Sequence, residues 1–506
     1  MALSPISARL RGFSSNRLFV LLFVRKYQWG LLVMSEKKSA VWSRIAYACG
    51  TFGHDVFYAM LGTYFMIFVT SNLFRSDDAT RDAYMIGIVT TIILVLRIAE
   101  LFIDPFIGNI IDKTKTRWGR FKPWVIVGAF VAAITLALLF TDMGGLAVTN
   151  PTLYLVLFAI VYFIMDVFYS AKDVAIWSMI PALSFDSHER EVTATIARIG
   201  SVFGGQLITV IVMPVVLFFS LNQNGGAGDP TGWLAFACIG GGIATLGAII
   251  LGFGTKEQES ALRENKTDTS AKDVFKVLTQ NDQLLWMAIA YLVYGLGSNI
   301  VNNFNLYYFI YVIGDATKFS ILGIINVVIG LLAVALFPVL TTKFSRRKLF
   351  FSSIIIMVAA LAIYFMAGTN VTLALVGAGL FALPQPLIFL VVLMTITDSV
   401  EYGQLKLGHR DEAVCLCVRP LIDKLAGAVT SGIIGMTAIW VGMTGNATAA
   451  DITAPNLLKF QIIMFAAPIV LLILATFIYR AKVTLTESEH ARIVEELEER
   501  WEEINV

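Results

Sequence analysis

The chain has 506 residues, of which 57% are hydrophobic and only 15% are charged, and its formal net charge is +2. Soluble domains carry about 25% charged residues, so this composition argues against a soluble protein and indicates a polytopic membrane protein. The near-neutral charge gives no support for nucleic-acid binding. Four cysteines in so long a chain do not form a disulfide framework, and the spacing of Cys415 and Cys417 is not that of metal ligands. We therefore predict no metal site.

Residues 1–37 form a basic N-terminal extension. Its apolar run LFVLLFV, at 18–24, is much shorter than the ~20 residues that a membrane span needs, and no clear cleavage site of a secretory signal follows. Met34, followed by SEKK, is a more natural start of the chain. We interpret the extension either as disordered or as the result of a mis-called start.

Twelve apolar segments are long enough to cross a membrane. They lie near residues 46–70, 83–110, 123–141, 152–177, 195–220, 233–254, 284–313, 319–341, 349–368, 371–397, 414–443 and 458–479. The longest polar gap, 255–283, divides them into six and six. We therefore predict an all-α membrane protein with two pseudo-symmetric six-helix bundles, at 38–254 and 284–480, joined by a cytoplasmic loop at 255–283. This arrangement resembles the major facilitator fold.

The loops predict the orientation of the chain in the membrane. If the N-terminus is cytoplasmic, most of the loop Lys and Arg residues fall in the five inner loops, and very few fall in the outer loops. The positive-inside rule then places both termini in the cytoplasm. We predict that the protein lies in the cytoplasmic membrane of the cell. The charged, amphipathic tail at 481–506 predicts a short cytoplasmic helix, and its acidic residues argue against a membrane-surface anchor.

Charged residues inside the predicted spans are the main functional signal. Arg97, Glu100 and Asp104 lie three and seven residues apart in the second span, so a helix presents all three on one face. Further polar and charged side chains occur in the first, fourth, fifth and eleventh spans: His54, Asp55, Lys172, Asp173, Trp177, Arg198, Asp423 and Lys424. An ionisable group in hydrocarbon is costly unless it is paired or faces water. The pattern therefore predicts a shared polar cavity between the bundles, although buried ion pairs that only hold helices together stay an alternative.

The residue types in these spans indicate a sugar and a coupling ion. Glu100 and Asp104, one helical turn apart, can share a proton or a small cation, and Arg97 can keep them ionised. Asp173 and Trp177 share a helix face, so the carboxylate can accept from sugar hydroxyls while the ring packs on an apolar sugar face. A set of asparagines in the seventh span either hydrogen-bonds a hydroxylated ligand or links helices; it comprises Asn299, Asn302, Asn303 and Asn305.

Three stretches of sequence carry a family signature. They are DPFIGNIIDKTKTRWGRFKPW at 104–124, KDVAIWSMIPALSFDSHERE at 172–191 and DSVEYGQLKLGHRDEAVCLCVRPLIDKLAGA at 398–428. They resemble the glycoside–pentoside–hexuronide:cation symporters, from about residue 38 to residue 500. The lactose permease branch of this family is the most similar, through stretches such as GTFGHDVFYAMLGTYFMIFVT and SHEREVTATIARIGS.

The resemblance implies a role for individual residues. Galactosyl-binding positions of the melibiose permease relatives match Asp55, Asp173, Trp177 and Arg198. The cation-coupling carboxylates match Glu100 and Asp104, and a lysine near the cation site matches Lys424. Lactose-permease positions tied to sugar transport and proton coupling match Lys172, His409 and Glu412. A histidine in the cytoplasmic loop at 409 could titrate near neutral pH, although spacing alone favours a solvated loop.

Two departures from the melibiose permease pattern bear on the coupling ion. His54, which we group with the substrate-binding residues, stands where that permease has a lysine, and Glu100 stands where it has an aspartate. Both differences favour a proton over sodium, which stays possible. The branch often carries a C-terminal phosphotransferase-like regulatory domain, and we expect none to be fused to this chain.

The resemblance therefore implies a secondary transporter that imports lactose or a related galactoside with a proton, by alternating access, with lactose–galactose exchange as a second mode. One alternative is a symporter for a melibiose-type or raffinose-type glycoside, coupled to sodium. Another is a sugar sensor that does not transport. An enzyme is poorly supported, because the chain has four histidines, no HExxH and no Gly-rich nucleotide loop. We expect no cofactor, and the partners are a small sugar and membrane lipid.

Overall fold

The computed structural model describes residues 41–76, 78–183, 187–222, 226–257, 278–408, 412–445 and 447–505. In this part of the chain, twelve helices are long and apolar enough to cross a membrane. They are α1 (Val41–Leu73), α2 (Ala79–Lys113), α3 (Lys122–Leu139), α4 (Pro151–Leu183), α5 (Ser187–Phe219), α6 (Pro230–Gly254), α7 (Asp282–Ile313), α8 (Phe319–Lys343), α9 (Arg346–Ala367), α10 (Val371–Leu407), α11 (Glu412–Val441) and α12, whose segments are Ala454–Gln461, Ile462–Ala466 and Ala467–Lys482. The predicted extension 1–37 and most of the central loop lie outside the described residues.

The twelve spans form two halves, α1–α6 and α7–α12, which meet along two pairs of helices. In the first half α3 packs against α4 and α6, and in the second half α7 packs against α11 and α12. Across the interface α2 packs against α11, and α5 packs against α8. The two pairs are equivalent under an exchange of the halves, which is the pseudo-symmetry that the sequence predicts. Large apolar side chains such as Phe163, Leu246 and Phe477 stay exposed on the outer surface, where they can contact lipid.

Small residues bring α1 and α5 into close contact. A Cβ atom at Gly200 would lie 2.3 Å from the backbone oxygen of Ala48, and one at Gly204 would lie 2.1 Å from that of Phe52. Only glycine fits at these two positions, because the backbones themselves meet there. This approach places Arg198 of α5 beside the charged residues of α1.

Contacts between α1 and α7 close the end of the bundle that lies opposite the chain termini. The Thr70 and Tyr307 hydroxyls are 2.7 Å apart, and the Ser71 and Tyr311 hydroxyls are 2.9 Å apart; all four residues are buried. The backbone N–H of Gly445, in the loop after α11, donates to the Thr70 carbonyl at 2.8 Å. The two halves are therefore sealed against each other at this end.

The segment after α12 forms a further helix, α13 (Glu487–Asn505), at the same end of the bundle as the start of α1. The Glu487 carboxylate accepts the backbone N–H of Arg346 at 2.5 Å, and the Arg346 guanidinium lies 2.6 Å from Asp398 of α10. Ile493, on the apolar face of α13, is only 2% exposed. The amphipathic pattern of the tail thus corresponds to a helix that packs on the second half of the protein.

Candidate functional site

The interface between α2 and α11 contains an ion-pair group that joins the two halves. The Lys424 ammonium of α11 lies 2.8 Å from Glu100 of α2 and donates a hydrogen bond to Asp104, one turn further along α2. We call these three residues the carboxylate–lysine cluster. Their side chains are 9% (Glu100), 22% (Asp104) and 16% (Lys424) exposed, so the charges are largely removed from solvent and rely on each other. The face of α2 that the spacing predicts is therefore the face that meets the other half.

Arg97 lies on this same face but is held by the first half of the protein. Its Nε donates to the Tyr162 hydroxyl of α4 at 3.0 Å, and its terminal nitrogen donates to the Leu61 carbonyl of α1 at 3.4 Å. The guanidinium is 9% exposed. Its positive charge therefore stays beside the cluster while its hydrogen bonds fix it to α4 and α1.

Helix α4 contributes residues to this site that the sequence analysis missed. The Ser170 hydroxyl donates to Asp104, and Tyr162 accepts from Arg97. Asp166, which lies between them at one helical turn from each, is 4% exposed. The position of an acid in the middle of this span was a signal that could have identified Asp166, because such a group is costly without a partner. Tyr162 and Ser170 carry no comparable signal.

The predicted sugar-contacting residues begin one turn further along α4. His54 of α1 pairs with Asp173 through Nε2 and Oδ1 at 3.1 Å, and the His54 ring stacks on Tyr169 with centroids 5.5 Å apart. His54 is 4% exposed, whereas the Asp173 side chain is 21% exposed. Asp55 is half-buried and interacts electrostatically with His54 and Asp173. The structure therefore brings these three predicted residues together.

Arg198 and Trp177 border the same region. Arg198 is exposed, interacts electrostatically with Asp55, and places its guanidinium 4.9 Å from the centroid of the Phe389 ring of α10. Trp177 is half-buried, one turn beyond Asp173 on α4. Arg198 of the first half therefore contacts Phe389 of the second half.

A second charge pair, in α11, contacts the same Phe389 ring. The Arg419 guanidinium is 4.8 Å from the Phe389 centroid and pairs with Asp423 at 2.5 Å. Asp423 therefore pairs within its own helix and also bonds to Tyr291 of α7, whereas its neighbour Lys424 reaches across to α2. The sequence pair Asp423-Lys424 is thus divided between two environments.

Lys172 lies next to the other predicted sugar-contacting residues, and its charge interacts electrostatically with Asp173 and Asp55. It is 1% exposed, and its ammonium lies 4.6 Å from the Phe57 centroid and 5.1 Å from the Tyr169 centroid. Within the described part of the chain its Nζ has no hydrogen-bond partner. A cation–π contact with Tyr169, which also stacks on His54, therefore adds to the attraction between this charge and the two carboxylates.

Two other predicted residues are beyond what the structure describes. His409 lies outside the described residues. Glu412 begins α11, but its side chain is not among those described. Their proposed part in coupling stays a prediction.

The asparagines of α7 have mixed roles. The Asn302 amide donates to Gln385 of α10 at 3.1 Å, which links two helices of the second half. The Asn303 amide donates to the Asn299 carbonyl of its own helix at 2.8 Å. Asn305 is 7% exposed, and its Oδ1 has no hydrogen-bond partner among the described residues. Asn302 therefore links two helices, and ligand binding by the other asparagines stays a prediction.

This chain resembles known proteins in sequence and in fold. A sequence profile of the family described as MFS/sugar transport protein matches residues 46–484. The chain is 52% identical to the raffinose carrier protein of Pediococcus pentosaceus, over 92% of this chain and 73% of that one. It is 51% identical to the lactose permease of Lactobacillus delbrueckii subsp. bulgaricus, again over 92% of this chain and 73% of the relative.

Solved structures match the fold. The partially occluded, inward-open structure of the xylose transporter XylE from E. coli superposes with a TM-score of 0.56, at 14% identity, over 89% of this chain and 98% of that one. This match and the twelve spans confirm the predicted all-α, two-bundle fold. The sequence relatives confirm the resemblance to the glycoside–pentoside–hexuronide:cation symporters and the prediction that the protein is not an enzyme. The chain belongs to the MFS/sugar transport protein family and is a multi-pass membrane transporter.

Proposed function

We propose that the protein imports lactose or a related galactoside together with a proton, by alternating access, with both termini in the cytoplasm. The observation that carries this proposal is the carboxylate–lysine cluster, because it places titratable groups at the seam where the two halves must move. Relatives named as a raffinose carrier and a lactose permease, each about half identical to this chain, support a galactoside as the substrate.

Helix α4 supplies a physical link between the ion and the sugar. Ser170, which donates to Asp104, and Asp173, which pairs with His54, are three residues apart and therefore share a face of α4. A change of charge at Asp104 alters the position of Ser170 and, through the same rigid helix, that of Asp173. Protonation of the cluster in this way favours the arrangement of Asp173 that accepts sugar hydroxyls.

The cluster also controls the conformational switch. With both carboxylates ionised, Lys424 bridges two charges of α2 and holds the halves together at this level. Protonation of one carboxylate removes part of this attraction and allows α2 and α11 to shift. At the extracellular end, the contacts of Thr70 with Tyr307 and of Ser71 with Tyr311 act as a gate that is closed in this structure.

One specific observation favours a second candidate. The raffinose carrier is as similar to this chain as the lactose permease is, so a larger galactoside such as raffinose is the main alternative substrate.

Sodium is the alternative coupling ion, because two carboxylates with a neighbouring hydroxyl from Ser170 are oxygen ligands that suit a hard cation.

The experiment that tests the proposal measures uptake of radiolabelled lactose into proteoliposomes that contain the purified protein. A pH gradient, acidic outside, and a sodium gradient are imposed separately, and unlabelled raffinose, melibiose and glucose compete in parallel. We expect lactose to accumulate under the pH gradient alone, and galactosides to compete better than glucose. Accumulation under the sodium gradient alone would overturn the ion, and absence of lactose uptake under both gradients would overturn the substrate.

A further inference from the structure

We propose that Asp166 is a third carboxylate of the cation site and that it creates the need for the coupling ion. This inference rests on the proposed function, and it concerns a residue that no sequence motif indicates. Its helical neighbours supply the geometry. Tyr162, four residues before it, bonds to Arg97, and Ser170, four residues after it, bonds to Asp104. Because Arg97 and Asp104 are seven residues apart on α2, Asp166 faces the middle of that interval, which is the level of Glu100.

The charged neighbours of Asp166 agree with this position. Asp166 interacts electrostatically with Glu100 first, and then with Arg97, Lys424 and Asp104. These four residues are the charged groups of α2 and α11 that surround it, and its own helix adds the Tyr162 hydroxyl. At 4% exposure, Asp166 has little access to water, so its charge depends on these neighbours.

The charge balance of the site depends on Asp166. Arg97 and Lys424 carry two positive charges, and Glu100 and Asp104 carry two negative charges, so these four residues are neutral without any ion. A proton bound to these four residues would leave one buried positive charge in excess, which is unfavourable. With Asp166 included, three carboxylates face two cations, and one negative charge is in excess. A single proton, or a single sodium ion, then neutralises the site.

This balance defines how the ion would be held. Arg97 stays protonated under all physiological conditions, and Lys424 is fixed between two carboxylates. The added proton therefore binds to a carboxylate. Asp166 and Glu100 lie at the same height along their helices, so these two carboxylates share it. The proton enters from the extracellular water and leaves to the cytoplasm. No other group of the site changes its charge during the cycle. The site predicts one ion for each sugar.

A purely structural role for Asp166 makes a different prediction. If Asp166 only balanced Arg97, its loss would lower stability and the amount of folded protein, but each folded molecule would still move one ion with each sugar. If Asp166 creates the excess charge, its amide variant has a neutral site that no longer needs an ion. Sugar exchange, which involves no net ion movement, would then continue while accumulation is lost.

The test compares wild type with Asp166→Asn in proteoliposomes, each with an imposed pH gradient and, separately, with a sodium gradient. Lactose accumulation and the number of protons or sodium ions that enter with each lactose are measured alongside lactose counterflow. A gradient of one pH unit supports about tenfold accumulation when one proton moves with each sugar. We expect wild type to approach this ratio, and Asp166→Asn to equilibrate lactose without accumulation while it retains counterflow. Asp142→Asn, the same change in the loop after α3, serves as the matched control and should behave as wild type.

The outcomes separate the inference from the proposed function. A wild type that accumulates no lactose under either gradient contradicts the proposed function, whereas a coupled wild type with an equally coupled Asp166→Asn contradicts the inference alone. If the amide variant does not fold, Asp166→Glu is used, because it keeps the charge and moves the carboxylate by one methylene. We then expect a shifted pH midpoint of lactose binding, and an unchanged midpoint would overturn the proposal.

Discussion

In a Lys424→Met variant, an imposed pH gradient should no longer drive lactose accumulation, and initial lactose uptake should fall by about 100-fold. The ammonium of Lys424 is the partner of both Glu100 and Asp104 across the interface between the halves. Breaking a buried ion pair by removal of one partner costs roughly 3–5 kcal/mol, because the other charge is left uncompensated. The carboxylates then stay protonated throughout the transport cycle, so no proton is released and the cycle is uncoupled.

The charge balance of the cluster supplies the control for this experiment. The double variant Lys424→Met/Asp104→Asn removes one positive and one negative charge and restores the net charge of the wild-type site. We expect its thermal stability in detergent to exceed that of Lys424→Met, while Lys424→Arg keeps the charge and stays close to wild type. Uphill lactose uptake by Lys424→Met at the wild-type level would contradict the role that we assign to this lysine.

An Asp173→Asn variant should lose affinity for lactose by about 10-fold to 100-fold, since a hydrogen bond to a charged group is worth roughly 1.5–3 kcal/mol. Asp173 is partly exposed, whereas its partner His54 is buried, so the carboxylate presents its free oxygen to a ligand while His54 fixes its orientation. The dissociation constant of lactose from the purified protein, measured by calorimetry, gives the result directly.

The adjacent residue offers a matched comparison. Lys172→Met removes the neighbouring charge, which lies against the Phe57 and Tyr169 rings and interacts electrostatically with Asp173 and Asp55. We expect a smaller loss of lactose affinity than in Asp173→Asn, because the Lys172 side chain is buried and does not contact the sugar itself. A large loss of affinity in Lys172→Met together with normal binding in Asp173→Asn would contradict the arrangement of the site.

The regular part of the site was predictable because helical periodicity is a local property. The spacing of Arg97, Glu100 and Asp104 placed them on one face before any partner was known, and the structure places that face at the interface of the halves. Likewise, hydropathy predicted the twelve spans, because a span must be continuous and apolar.

Partners across helices were not predictable, because they depend on packing between segments far apart in the chain. Asp423 and Lys424 are neighbours in sequence, yet one pairs within α11 and the other reaches α2. Lys172 and Asp173 also have different nearest partners, the Phe57 and Tyr169 rings for Lys172 and His54 for Asp173, since successive residues of a helix point about 100° apart. The sequence grouped each pair as one unit, whereas the helix separates its members.

Asp166 was missed in the prediction of the site for a different reason. It has no charged neighbour within its own span at helical spacing, apart from Asp173 two turns away, so a search for charge pairs passes over it. Its importance arises from the residues one turn on either side, Tyr162 and Ser170, whose contacts with α2 appear only in the folded protein. An acid in the middle of a span, even without an adjacent cation, is therefore a signal that a search for charge pairs overlooks.

The most direct test of the account counts the protons that enter with each lactose. Purified protein in proteoliposomes with an internal pH dye, and with the membrane potential held at zero, is mixed with lactose in the absence of sodium. The account predicts one proton for each lactose in wild type, and none in Glu100→Gln, which should still exchange lactose. Lactose entry without acidification in wild type, or equal acidification in Glu100→Gln, would contradict the central claim that this cluster couples the sugar to a proton.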